Sequence, residues 1–243
     1  MAKLYYCEQG TPEWHALRLG IPTSSEFDKI VTPKEGKLSK SAAPYMHWLL
    51  ASWIVGKPLE TFESDHMQHG KEFEPEARRA FAFDTDLEVS DIGFITNDAG
   101  TIGASPDGLV GENATLELKC PQPQTHVGYM VTRALDDKYR CQVQGQLYVA
   151  EREIAYVQSY CPGLPSVIIK VGRDEKFIGE LAPALDSFVE IMLRTREKLE
   201  QEYGPFVRQQ QTARVEDFGP LGVSDDDVAA IWAASQEAPD ARR

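Results

Sequence analysis

Apolar positions along the chain change period several times, and each change marks an element. Positions 23–31, 42–55 and 65–83 repeat apolar residues at helical spacing, and the first of these opens on Thr23 and Ser24, either of which can cap a helix. Strand-like runs follow at 88–96, 103–110 and 115–120, then a helical stretch at 138–150, two further strands at 155–161 and 166–171, and a long helical pattern at 174–203. Pro183 falls inside that last pattern and is expected to kink or interrupt it. Strands bracketed by helices, without repeats or low-complexity linkers, predict an α/β sandwich.

The chemistry concentrates between Ser105 and Pro121. Pro106 and Gly108 occupy turn positions of Ser105-Pro106-Asp107-Gly108, which puts Asp107 where the chain reverses. Nine residues after Gly108 comes Glu117, within Leu116-Glu117-Leu118-Lys119-Cys120. With period two, Glu117 and Lys119 share one face of that strand while Leu116 and Leu118 take the other. Two carboxylates held close raise each other's pKa unless a cation neutralises them, and hard oxygen donors suit magnesium or manganese. Such an ion polarises a phosphodiester and activates water. Lys119 can serve either as a general base or as a charged group on the scissile phosphate. An isolated Glu-x-Lys is usually a solvated strand face; the Pro-Asp turn at this distance favours a metal-dependent nuclease.

A second candidate lies near the N-terminus. Arg18 carries the rigid multi-donor fork suited to phosphate, and Thr23 and Ser25 add hydroxyls at a helix start, although both could simply cap that helix.

These motifs occur in a fixed order: Glu8-Gln9-Gly10, Trp14-His15-x-Leu17-Arg18-Leu19-Gly20, Thr23-Ser24-Ser25-Glu26, Gly70-Lys71-x-Phe73-Glu74, Ser105-Pro106-Asp107-Gly108-Leu109, Leu116 to Pro121, and Gln142-Val143-Gln144. From about Glu8 to Tyr203 the chain resembles the lambda-exonuclease-like recombination exonucleases of the PD-(D/E)xK superfamily. The resemblance implies a restriction-endonuclease-like sandwich, with a central mixed sheet flanked by helices, and 5′-to-3′ digestion of one strand of duplex DNA. It further implies a ring-shaped homotrimer and a single-strand annealing protein as partner.

Residue by residue, the resemblance gives Asp107, Glu117, Lys119 and Glu74 as catalytic, with Asp107, Glu117 and Leu118 at the metal. It gives Arg18, Ser25, Ser105 and Gln142 as the pocket for a 5′-phosphate, to which Thr23 at the helix start adds a phosphate-binding hydroxyl. Gln144 and Met67 are further candidates, Met67 matching an apolar residue that wedges terminal base pairs apart. Gln142 and Gln144 lie about 200° apart on a helix, so both cannot face the site equally, and the resemblance ranks Gln142 first because it matches the family's phosphate-binding position. His69 falls where the family has tryptophan, so His66 and His69 read as packed or exposed rather than metal-binding. Asn97 replaces a family aspartate. Magnesium is the expected cofactor, with manganese as a substitute and calcium binding without turnover.

Composition sets limits on this picture. The 243 residues suffice for one core, with a domain at 1–204 and an acidic extension at 205–243. In that extension Ser224 and three aspartates precede an apolar stripe of Val228, Ile231 and Trp232, which predicts a short amphipathic helix. No membrane span or signal peptide is evident, so a cytoplasmic location is expected. Four scattered cysteines without a C-x-x-C pair point to reduced thiols rather than a zinc or iron–sulfur site.

The net charge of −13 is awkward for a DNA-binding protein. Up to Arg214 the chain still carries 23 basic against 31 acidic residues. A ring with an acidic exterior and a basic bore reconciles charge with function, though an acidic surface also serves solubility. Lys34, Lys37 and Lys40 form a basic loop that can track a DNA backbone or stand in solvent.

Two other classes fit parts of the pattern: a site- or structure-specific endonuclease of the same fold, and a DNA-end-binding protein without turnover. Crowded carboxylates argue against a pure binder, and an end-phosphate pocket argues against the endonuclease.

Overall fold

A computed structural model describes residues 1–34, 37–59 and 65–206, apart from the side chains of 65–68 and 71. The expected helix at the acidic C-terminus, Met67 and His66 as side chains, and the far end of the 205–243 extension lie outside the described residues.

The chain runs β1 (Lys3–Tyr5), α1 (Pro12–Arg18), a 3-10 turn (Ser24–Glu26), α2 (Phe27–Ile30), α3 (Ala42–Val55) and α4 (Asp65–Thr85). Next come β2 (Val89–Ser90), β3 (Phe94–Thr96), β4 (Gly103–Ala104), β5 (Gly108–Val110) and β6 (Ala114–Lys119). The last part holds α5 (Pro123–Thr132), a 3-10 turn (Asp137–Tyr139), α6 (Arg140–Val149), β7 (Ile154–Ser159), β8 (Val167–Gly172) and α7 (Glu175–Tyr203).

Five strands form a mixed sheet in the order β2-β5-β6-β7-β8, and three form a small antiparallel sheet in the order β1-β3-β4. The pair β6 and β7 is parallel, and its crossover carries α5 and α6. One face of the large sheet packs Leu116, Leu118 and Tyr160 against Ala77 and Phe81 of α4. The other packs Ala155 and Val157 against Val143 and Leu147 of α6. The largest core joins α2, α3 and α7 to the small sheet through Phe27, Leu49, Ile95, Leu181 and Phe188. This is the expected α/β sandwich, a mixed sheet between helices.

Two expected strands prove to be four. The run at 88–96 splits at Gly93, where an added Cβ would lie 2.3 Å from the carbonyl oxygen of Cys7; the chain bends there and passes from one sheet to the other. The run at 103–110 splits at Ser105-Pro106-Asp107, because Pro106 has no N–H to give a ladder. The chain therefore leaves both sheets at the turn that carries Asp107.

The long helix α7 runs through Pro183 without the interruption that is one of the two expected outcomes there. Residue 179, whose carbonyl the proline ring crowds, is glycine, and buried Phe177, Ile178, Leu181, Leu185, Phe188 and Val189 hold both sides of the proline against the core. A continuous apolar stripe outweighs one lost backbone bond.

Candidate active site

Asp107 is fixed through every polar group it has. Its N–H donates to the Leu116 carbonyl at 2.9 Å, its own carbonyl accepts from Arg78 Nη1, and its Oδ2 accepts the Leu118 N–H at 2.5 Å. The preceding Pro106 carbonyl accepts from Gln9 Nε2 at 2.9 Å. Arg78 stands one helical turn after Glu74 on α4 and also pairs with Asp91 at 2.6 Å. Neither Gln9 nor Arg78 was expected at the site; the i, i+4 spacing from Glu74 is the signal for Arg78.

Glu117 and Lys119 share a face of β6, as the alternation predicts. Lys119 Nζ donates to Glu117 Oε1 at 2.7 Å and to Gln142 Oε1 at 3.1 Å, and lies 4.5 Å from the centre of the Tyr139 ring. Gln142 Nε2 donates to Glu117 Oε1 at 2.6 Å. Glu117 is 4 % exposed, a depth that a carboxylate tolerates only with such partners.

Burial pushes the Asp107 carboxyl well above its usual range, and the charges of Glu117 and Glu74 push it further; the Leu118 N–H and Lys119 pull the other way. Burial alone would lower the Lys119 ammonium, but Glu117, by charge and hydrogen bond, and Asp107 outweigh it and raise the pKa. Lys119 is therefore held charged.

The second cluster also assembles. Arg18 donates to Ser105 Oγ at 2.8 Å and to Thr23 Oγ1 at 3.3 Å, and Thr23 Oγ1 lies 3.2 Å from Ser25 Oγ. The guanidinium stacks 4.1 Å from the Trp14 ring centre, and Trp14 Nε1 donates to Ser105 Oγ at 3.1 Å. Burial lowers the Arg18 pKa to about 10, which leaves it cationic at neutral pH. Gln142 bonds Glu117 and Lys119 rather than this cluster.

Other candidates have structural partners. Gln144 faces away from β6: its Nε2 donates to the Gly172 carbonyl at 2.9 Å, and its Oε1 accepts the Asp174 N–H at 2.8 Å. Asn97 closes its own turn, with Oδ1 accepting the Thr101 N–H at 2.8 Å. The His69 ring packs 4.8 Å from that of Phe73. All four cysteines are free thiols.

The donor set fits a hard divalent cation. Two carboxylates, Asp107 and Glu117, converge with Glu74 close enough to act on Asp107 by charge, and a cation relieves the excess that raises the Asp107 pKa. Leu118 turns its N–H, and by strand geometry its carbonyl, toward Asp107. Among the described residues no three His, Cys, Asp or Glu side chains alone converge as a metal cage. Two carboxylates and a carbonyl with solvent completing the shell match the habit of magnesium, which keeps several waters.

A mixed sheet with an aspartate on its turn and Glu-x-Lys on a central strand, beside a half-buried arginine, is the frame of a nuclease, and the similar proteins are exonucleases. The chain belongs to the family of the YqaJ-like viral recombinase domain, which it matches over residues 13–153. It is similar to the alkaline exonuclease LHK-Exo from Laribacter hongkongensis, with 30% identity over 79% of this chain and 97% of that one and a TM-score of 0.70. LHK-Exo in complex with dAMP gives a TM-score of 0.71 at the same identity and coverage. A phage-related exonuclease from Haemophilus somnus 129PT, 16% identical over 75% of this chain and 96% of that one, shares the fold at a TM-score of 0.57. No curated protein matches the chain. Among the described residues no helix is long and apolar enough to cross a membrane.

Proposed function

We propose that this nuclease degrades one strand of duplex DNA from its 5′ end with magnesium as cofactor, leaving a 3′ single-stranded tail for recombination by strand annealing. The observation that carries the reading is Ser105. Its hydroxyl accepts from Arg18, while two residues further along the same turn Asp107 feels the charges of Glu117 and Lys119 on β6. On this reading Arg18 and its neighbouring hydroxyls would take a terminal phosphate beside the carboxylates that would hold the metal.

In this reading Asp107, Glu117 and the Leu118 carbonyl hold the ion, with Glu74 flanking them. A bound magnesium would supply a polarised phosphodiester and an activated water. Lys119 places a fixed positive charge where negative charge develops on the phosphate, and Gln142 holds that ammonium and Glu117 in register. Arg18, Thr23 and Ser25 orient the end, with the Trp14 ring bracing the guanidinium. The mononucleotide held by LHK-Exo is a product of the kind such digestion releases. A homotrimeric ring and a single-strand annealing partner complete the proposal; both rest on the family resemblance, and the ring also on the acidic net charge.

The test is time-resolved digestion of a linear duplex labelled separately at the 5′ and 3′ ends of each strand, beside the same DNA as a closed circle, with solution mass measured in parallel. Early loss of 5′ labels with an intact circle and a trimeric mass is expected in magnesium. Calcium should permit binding without digestion. Cleavage of the circle, or early loss of 3′ labels, would overturn the proposed polarity and end dependence.

A further inference from the structure

Gln146 is fully buried, with 0 % of its surface exposed, one helical turn beyond Gln142 on α6. Side chains four apart on a helix share a face, so both amides point at β6, whereas Gln144, set about 200° from Gln142, points away. Gln146 Nε2 donates to Glu117 Oε2 at 2.5 Å, while Gln142 Nε2 donates to Oε1 at 2.6 Å. Each carboxylate oxygen of Glu117 thus receives one amide from the same helix, and the plane of the carboxylate is fixed at both ends. The height of α6 is set by Gly145, where an added Cβ would lie 2.5 Å from the Phe27 ring; only glycine lets the helix settle this close to α2.

The far end of the Gln146 amide separates a positioning role from a packing one. A carboxylate accepts and cannot donate, so the nitrogen must face Glu117 and Oε1 must face inward. That oxygen is buried and has no hydrogen-bond partner among the described residues. Packing alone would be better served by leucine or methionine of similar volume, which strand no acceptor. The amide is explained by what it does to Glu117.

We infer that Gln146 is a positioning residue that clamps the second oxygen of Glu117 and so sets the orientation in which Glu117 meets a divalent cation. This rests on the reading of Glu117 as a metal ligand. Groups that hydrogen-bond a ligating carboxylate typically govern metal affinity by about 10- to 100-fold. The bond from Gln146 leaves Lys119 and Arg18 untouched.

The experiment is Mn²⁺ binding to the full-length protein by titration calorimetry, for wild type, Q146L and Q146M, with thermal unfolding and the metal dependence of cleavage measured alongside. Expected is Mn²⁺ affinity weaker by about 10- to 100-fold in each variant, a matching rise in half-saturating metal, and cleavage that recovers as Mn²⁺ is raised. Methionine is unbranched and fills irregular space, so Q146M keeps the test open if Q146L does not fold. A folded variant that binds Mn²⁺ as wild type does overturns the inference, even if its Tm falls. A wild type that takes up no Mn²⁺ overturns the metal reading, and this inference with it.

Discussion

Asp107 and Leu118 are joined by a 2.5 Å hydrogen bond in which the side chain of the turn aspartate accepts the backbone N–H of the strand. The carboxylate expected at the metal is therefore also the clasp of the β5–β6 hairpin. Asp107→Ala should abolish cleavage in magnesium while DNA binding in calcium persists, and Glu117→Ala should do the same. Gel shift in calcium beside digestion in magnesium checks this; near-normal digestion by either variant would refute the assignment.

The raised Asp107 pKa fixes the sign of a pH effect. A carboxyl whose folded pKa lies above its unfolded value, about 3.9, contributes stability that is fully present below the unfolded value and lost as pH rises through the folded one. Without added metal, the Tm of Asp107→Asn should gain on wild type as pH rises from 4 to 9. Magnesium should close that gap at the alkaline end. A gap that stays constant with pH would contradict the assigned shift.

Lys119 is held as an ammonium, so Lys119→Ala should depress the chemical step by roughly 10²- to 10³-fold, in the range for losing a preorganised charge at the transition state. Single-turnover rates at saturating enzyme would show it. A change confined to the DNA dissociation constant would make Lys119 a backbone grip only.

For Arg18, a two-by-two cycle of enzyme and end chemistry isolates the contact. Arg18→Ala should slow digestion of 5′-phosphorylated ends by about ten- to a hundredfold, as expected from a charge-assisted hydrogen bond of about 1.5–3 kcal/mol, and should lose most of the preference over 5′-hydroxyl ends. Survival of the full preference would make Arg18 a structural residue braced on Trp14.

Gln144 offers the reverse case. Its two hydrogen bonds tie α6 to the start of α7, so Gln144→Leu should cost about 1–3 kcal/mol of unfolding free energy without changing the cleavage rate of the folded enzyme. Denaturant melts and a rate measured well below the midpoint would check both halves. A rate loss at full folding would return Gln144 to the site.

What could be read in advance follows what leaves a local mark. Asp107, Glu117 and Lys119 show themselves because a turn and an alternating strand fix them within a few residues. Helical geometry separates Gln142 from Gln144 by face, while the preference for Gln142 comes from the family resemblance. The short helix α1 has a cap in Thr11, with Pro12 at its first position, yet it buries no residue and so has no apolar stripe to detect. In α5, Pro123 gives the start signal, but Val127 and Val131 are exposed and the buried pair is His126 and Tyr129, which blurs the period. The strand β1 is three residues long and largely exposed, with no alternation to read. Gln9, Trp14, Arg78 and Gln146 reach the site through tertiary contacts, and a buried glutamine on a helix looks from sequence like a solvated one.

Ser105 and Asp107 are separated by a single proline, whose ring fixes one backbone angle of the link. Two residues span at most about 7 Å, so the proposed anchor for the chain end and the proposed metal-binding carboxylate are joined by a short, stiff gauge. On the proposed function this gauge measures each excised fragment from the end just exposed, and every round begins from the same length. Inserting one residue between Pro106 and Asp107 should therefore alter the size of the fragments released, and not merely how fast they appear.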